Sequence, residues 1–328
     1  MLHPDRFLHN LLQKYEENTT YLITPEQKES ITLALKQSLG FFEQPISKVD
    51  LDVIVREREQ WRDVFLEQIE FTTIDGLRMS SFVIVPKSWQ EEKKALPGIL
   101  LWHGHGSGSR SMLGKDSDSL ALQLSRKNMV VVIPEIIGFG ERLLQHDLEN
   151  DPGSQNSCYS LAVALLTMGK TLAGLRTIEA IRAVDYLLTR PEVDPDRIGT
   201  MGFSGGGTVA TLLAALDERI QACVVASYAN TFRGSILSHC HCVCNYIPGI
   251  LRYAEMPALL GLIAPRHLFV ESGRADPIFP IDTAMVCIQS LQETYRLADA
   301  TDRFSFDVFE GGHTVHGDRS INWLADRL

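Results

Sequence analysis

The chain has 328 residues, enough for one large domain, and its 45% hydrophobic fraction is ordinary for a globular protein. Lys and Arg number 31 against 41 Asp and Glu, a net charge of −10 that argues against nucleic acid and an anionic membrane surface as partners. No apolar run approaches ~18 residues, and the start Met1-Leu2-His3-Pro4-Asp5-Arg6 lacks a basic segment followed by an apolar core. The reading is therefore a cytoplasmic protein with neither membrane span nor signal peptide.

Residues 1–50 read as a helical extension packed on the core, and 51–328 as the main domain. Thr24-Pro25-Glu26-Gln27 offers a cap residue, a proline at the first helical position and a Gln three residues after the cap. Ile31, Leu35 and Leu39 then form one face of a helix ending at Gly40. Strands are expected at 51–56, 64–73 and 79–85, an antiparallel start with Asp75-Gly76 as the hairpin turn. A buried strand follows at 97–102, leading into the small-residue loop His103-Gly104-His105-Gly106-Ser107-Gly108-Ser109. A helix is expected at 120–127 and an apolar strand at 129–134. Residues 141–169 read as an insertion near a pocket mouth, with a helix over 159–168. An amphipathic helix at 177–189 and a buried strand at 224–228 come next, and 231–262 reads as a cap or lid. The alternation predicts an α/β fold, a mostly parallel sheet with helices on both faces.

The strongest chemical signal is Gly202-Phe203-Ser204-Gly205-Gly206-Gly207, between the apolar run 197–201 and the helix-like run 209–216. Strand, G-x-S-x-G, helix is the context of a nucleophile elbow, where glycines let strand and helix approach closely. A serine hydroxyl needs a base, and the base an orienting acid. In α/β hydrolases they follow in the order acid, then His. Asp276 lies in a loop after the strand pattern His267 to Gly273, where an open α/β sheet keeps its site. The rival acid, Glu271, lies inside that strand. His313 follows Phe304 to Glu310 and two glycines, and His316 is the rival base. The backbone amides of His105 and Gly205 are the candidate oxyanion donors. Read as metal ligands, His103 and His105 lack a third ligand at a recognisable spacing. Phe203, Tyr246, Phe279 and Trp102 are candidate pocket aromatics, though residues of this kind are more often core.

Six cysteines are present: Cys158, Cys223, Cys240, Cys242, Cys244 and Cys287. Three share His239-Cys240-His241-Cys242-Val243-Cys244, a C-x-C-x-C spacing unlike the C-x2–4-C of zinc sites. The segment reads as a loop at the pocket with structural free thiols, and metal or disulfide chemistry is the alternative. No cofactor and no metal is assigned.

The chain resembles the bacterial α/β hydrolases of the dienelactone-hydrolase-like group, in particular the acetylxylan esterases and cephalosporin-C deacetylases. The resemblance rests on His103-Gly104-His105-Gly106, Arg190 to Gly199, Gly202 to Gly207, Asn245-Tyr246-Ile247-Pro248-Gly249, Ala264-Pro265-Arg266, Asp276 to Pro280 and Gly311-Gly312-His313. It implies the α/β-hydrolase fold with a short cap insertion. It also implies a Ser204–His313–Asp276 triad and oxyanion donors at His105 and Gly205. The expected activity is that of a serine esterase on small, short-acyl esters. The chain departs from the acetyl-sugar esterases of the group, which carry Tyr where it has His105 and Gln where it has Gly205. Sugar-acetate specificity and a ring-shaped hexamer are therefore not carried over, and the quaternary state is open to a homo-oligomer. Two other functions compete: a serine peptidase of the prolyl-oligopeptidase kind, which usually carries a large β-propeller, and a catalytically inactive hydrolase fold used for binding.

Overall fold

The computed structural model describes residues 3–17, 19–40, 49–74, 76–114 and 119–328. Met1 and Leu2, residues 41–48 of the N-terminal extension and Asp75 of the expected hairpin turn lie outside them. In chain order the elements are α1 (Pro4–Glu16), α2 (Lys28–Leu39), β1 (Ile54–Trp61), β2 (Val64–Ile74), β3 (Leu77–Pro86), α3 (Ser88–Glu92), β4 (Leu96–Trp102), α4 (Arg110–Leu113), α5 (Leu120–Ser125), β5 (Val130–Pro134), α6 (Gln145–Asn150), α7 (Cys158–Thr167), α8 (Leu172–Leu187), β6 (Val193–Phe203), α9 (Gly205–Leu216), β7 (Ala222–Ala226), α10 (Met256–Gly261), β8 (His267–Gly273), α11 (Ile281–Leu297), β9 (Phe304–Phe309) and α12 (Ser320–Arg327).

Among the described residues nine strands form one sheet, in the order β1-β2-β3-β5-β4-β6-β7-β8-β9. The β1–β2, β2–β3 and β3–β5 pairs are antiparallel, and every pair from β5 through β4 to β9 is parallel. Alternation along β4 shows how the sheet divides the core. Ile99 and Leu101 pack with Leu122 and Leu124 of α5 and Leu324 of α12 on one face. Leu100 and Trp102 join the larger cluster on the other, which holds residues of α2, α8, α9 and α11. This is the α/β-hydrolase architecture expected from the sequence.

The boundaries differ where side-chain pattern is a poor guide. The first strand runs Ile54–Trp61, not 51–56, because β1 is an exposed edge whose position is set by pairing with β2. Its charged run Arg56-Glu57-Arg58-Glu59 carries no apolar alternation. The helix expected at 177–189 begins at Leu172, where the Thr171 side chain accepts from the Gly174 amide. Nearly all of α8 is buried, Arg176, Glu179 and Arg182 included, so no amphipathic stripe marks its start. Helix α2 ends as expected at Gly40, left-handed at φ 64°, with Leu35 and Leu39 fully buried.

Among the described residues no single helix is long and apolar enough to cross a membrane. Helices α7 and α8 pass that test only as a pair bent by 101°, and α8 lies inside the core.

Candidate active site

The parallel strands all point their C-terminal ends at one edge of the sheet, and the chemistry-bearing residues gather there. Ser204 sits between β6 and α9 with φ 53° and ψ −118°, in the left-handed region that non-glycine residues avoid. The turn closes only because Gly202 and Gly206, two residues to either side, lack side chains. A Cβ on Gly202 would lie 2.1 Å from the Gly206 carbonyl oxygen, and one on Gly206 would lie 2.3 Å from that of Trp102. The Ser204 amide donates to the Ala226 carbonyl at 2.9 Å, tying the turn to the end of β7.

The loops after β8 and β9 are laced together. Arg274 N donates to Phe309 O at 3.0 Å and Ala275 N to Gly311 O at 2.8 Å. Gly273 permits that approach, since a Cβ there would meet the Gly312 carbonyl at 2.3 Å. Asp276 and His313 thereby become neighbours. His313 Nε2 lies 2.8 Å from Ser204 Oγ, and His313 Nδ1 lies 2.8 Å from Asp276 Oδ2. The other oxygen of Asp276 accepts from the amides of Ile278 at 2.8 Å and Phe279 at 3.0 Å. Burial by itself would raise the Asp276 carboxyl. The hydrogen bond from His313 and those from the Phe279 and Ile278 amides outweigh it and hold the group below its ordinary value, hence ionised. Phe203 and Phe279 flank the His313 ring at centroid distances of 5.0 and 5.7 Å.

The rival residues are occupied elsewhere. Glu271 is fully buried in β8 and accepts from the amides of His316 and Gly317. His316 is exposed and pairs through Nδ1 with Asp307 Oδ2 at 2.7 Å. His103 is buried: its Nε2 accepts from the Ile136 amide at 3.1 Å and its Nδ1 donates to the Gly104 carbonyl. His105 is exposed at the pocket, with Nε2 3.2 Å from Cys244 Sγ. Gly205 opens α9, where the first amides have no acceptor within the helix.

These groups line a cavity of about 390 Å³ formed by His105, Phe203, Ser204, Gly205, Phe279 and His313 together with the 239–245 segment and Ile278. The segment carrying Cys240, Cys242 and Cys244 is irregular up to a short 3-10 turn, Val243–Asn245. Of the candidate pocket aromatics, Phe203 and Phe279 lie here. Trp102 is core, its indole donating to Thr200 Oγ1 at 2.9 Å. Tyr246 lines a different, apolar cavity of about 500 Å³ beside α1 that Ser204 does not line. Two residues at this edge carry no local sequence signal. Ser227 hydrogen-bonds the Thr314 carbonyl at 2.8 Å and steadies the His313 loop. Cys158 opens α7 and joins the thiols of the 242–244 turn, a contact that only the tertiary fold creates.

Residues 41–236 match the family described as acetyl xylan esterase (AXE1), more than half of the chain. Over 229 residues the chain is 27% identical to YtaP of Bacillus subtilis (strain 168), named as a hydrolase, covering 66% of this chain and 73% of that one. Among solved structures, a protein of Bacteroides fragilis NCTC 9343 described as an acetyl xylan esterase is similar with a TM-score of 0.75 at 17% identity, covering 94% of this chain and 83% of that one. A glucuronoyl esterase of Solibacter usitatus is similar at 0.66 and 16% identity, covering 93% and 94%. The structural likenesses speak for the fold, and the family match speaks for the chemistry: the chain belongs to the acetyl xylan esterase family and is a carboxylic-ester hydrolase.

Proposed function

We propose that the chain hydrolyses short-acyl, chiefly acetyl, esters of a small alcohol through a covalent acyl-enzyme on Ser204. The observation that carries this reading is the unbroken hydrogen-bond line from Ser204 Oγ through His313 to Asp276, at the base of a cavity of about 390 Å³. Ser204 Oγ attacks the ester carbonyl while His313 Nε2 takes its proton. Asp276 holds the imidazole by Nδ1 and stabilises the imidazolium. The tetrahedral oxyanion rests on the amides of His105 and Gly205. Collapse expels the alcohol, which leaves with the proton from His313. Water then gives a proton to His313 and attacks the acyl carbon, and release of the acid returns Ser204 to its resting form.

The acetyl preference is supported by the family and by the close walls of the cavity, where Phe203 and Phe279 flank the histidine. A reducing compartment such as the cytoplasm suits a chain whose six cysteines are all free. The test is a series of p-nitrophenyl esters from acetate to octanoate, run beside acetylated xylo-oligosaccharides. Acetate and butyrate should exceed octanoate in kcat/KM by about tenfold or more, a loss on the scale of at least one methylene that the pocket does not accommodate. A rate that rises steadily to octanoate would overturn the short-acyl reading, and no turnover of any ester would overturn the triad roles.

A further inference from the structure

Four ligand-type atoms converge beside the proposed oxyanion hole. His105, Cys158, Cys242 and Cys244 bring one nitrogen and three sulfurs within 4.8 Å of one another. His105 Nε2 to Cys244 Sγ is 3.2 Å, and Cys244 Sγ to Cys242 Sγ is 3.2 Å. A tetrahedral zinc ion bound at ordinary lengths separates its sulfurs by about 3.8 Å. The observed sulfur–sulfur contact of 3.2 Å is shorter than that and no pair in the cluster exceeds 4.8 Å, so shifts of an ångström or less complete the geometry. Three thiolates and one imidazole are a donor set that favours zinc among the available divalent ions.

A second observation points the same way. Arg176 is almost completely buried in α8, and among the described residues no carboxylate pairs with it. Its Nη2 donates to the Ile137 carbonyl at 2.9 Å and to Cys158 Sγ at 3.2 Å, and its Nε finds no acceptor. A buried, unneutralised guanidinium is costly, and it calls for an anion next to it. The thiol cluster is the group in place to supply one. The sulfurs of Cys158, Cys242 and Cys244 lie together, with Cys158 Sγ in contact with the guanidinium. With a divalent cation at their centre all three thiols give up their protons to solvent, and three thiolates, the cation and Arg176 sum to zero.

We propose that His105, Cys158, Cys242 and Cys244 form a structural zinc site, closed at four ligands, with Arg176 as its buried counter-charge. Gly205 is part of the design. A Cβ at that position would lie 2.5 Å from His105 Nδ1, so only glycine leaves the ring free to present Nε2 to the thiols. The ligands come from the loop after β4, the first residue of α7 and the turn before Tyr246, three segments far apart in the chain. The metal staples the two cap segments to the loop that carries the His105 amide. His105 is then a positioning residue through its ring. This site is independent of the hydrolytic reading, since metal content reports it whatever the esters do.

The experiment is metal analysis of the full chain, purified with a thiol reductant from zinc-supplemented cells. About one zinc per chain is expected, falling at least tenfold in Cys158→Ser and in Cys244→Ser and unchanged in Cys240→Ser, whose thiol lies outside the cluster. Cobalt(II) added to the reduced, metal-stripped wild type should give thiolate-to-metal charge-transfer absorption and tetrahedral ligand-field bands. That arm needs no variant, so a variant that fails to fold leaves the question decidable. A reduced, folded wild type that takes up neither zinc nor cobalt overturns the site. So does zinc retained in both cysteine variants, or a disulfide among Cys158, Cys242 and Cys244 in freshly isolated protein.

Discussion

Ser204 is held at φ 53° in a turn that Gly202 and Gly206 allow to close, and in the proposed mechanism its hydroxyl acts through His313 and Asp276, which the loops after β9 and β8 bring within 2.8 Å of Ser204 Oγ and of the imidazole in turn. On this reading Ser204→Ala should reduce ester turnover by several powers of ten with the far-ultraviolet circular dichroism unchanged, and Asp276→Asn by about three to four. Activity of Ser204→Ala within tenfold of the parent would sink the nucleophile assignment. The two histidines of this loop should separate cleanly. His313→Ala should lose nearly all activity and His316→Asn little, because His316 faces Asp307 rather than Ser204. His316 should instead leave a mark on stability. The hydrogen bond that its Nδ1 donates to the Asp307 carboxylate raises its pKa above the usual 6.5. Its contribution is therefore complete below the unfolded-state pKa and is lost as pH rises through the higher folded-state value. His316→Asn should lower the thermal midpoint at pH 5.5 and leave it nearly unaltered at pH 9; an equal loss at both would show that pairing with Asp307 is not the cause.

At the scale of elements, the elbow shows why glycine positions in this chain are not interchangeable. Gly202→Ala puts a Cβ against backbone at 2.1 Å, which no rotamer can relieve. It should lower stability by about 1–3 kcal/mol or more, read as a shift in the urea midpoint. Wild-type stability in that variant would mean that strand and helix are not as close as described. Most elements were legible in the sequence because burial imposes a pattern. The strands β4, β5, β7, β8 and β9 are short apolar or alternating runs, and α2 has a capped start, an apolar face and Gly40 at its end. Pattern failed at the two extremes of burial. The edge strand β1 is exposed along almost its whole length, and α8 is buried nearly all round, so neither has a polar face to contrast with an apolar one.

For the whole molecule, the charge of −10 predicts a long-range effect on substrates. The field repels anions, so kcat/KM for an ester bearing a carboxylate should rise as ionic strength goes from about 10 to about 200 mM, where the Debye length shrinks from roughly 30 Å to below 10 Å. The neutral counterpart should hardly change; a falling rate for the anionic ester would reveal a local cationic field at the pocket that outweighs the total. The primary sequence determined the architecture and the candidate triad, because both rest on local information. Hydrophobic periodicity reports each element's burial, and Ser204, Asp276 and His313 each stand at a strand end flanked by turn residues. It could not assemble the thiol cluster. Cys242 and Cys244 invited comparison with zinc spacings along the chain, but His105 lies 139 residues from Cys244, and Cys158 and Arg176 come from two further helices. Ligand spacing along a chain is informative only when the ligands share a local turn. Where separate loops supply them, their meeting is a consequence of how the sheet and its helices pack, and the tertiary structure alone decides it.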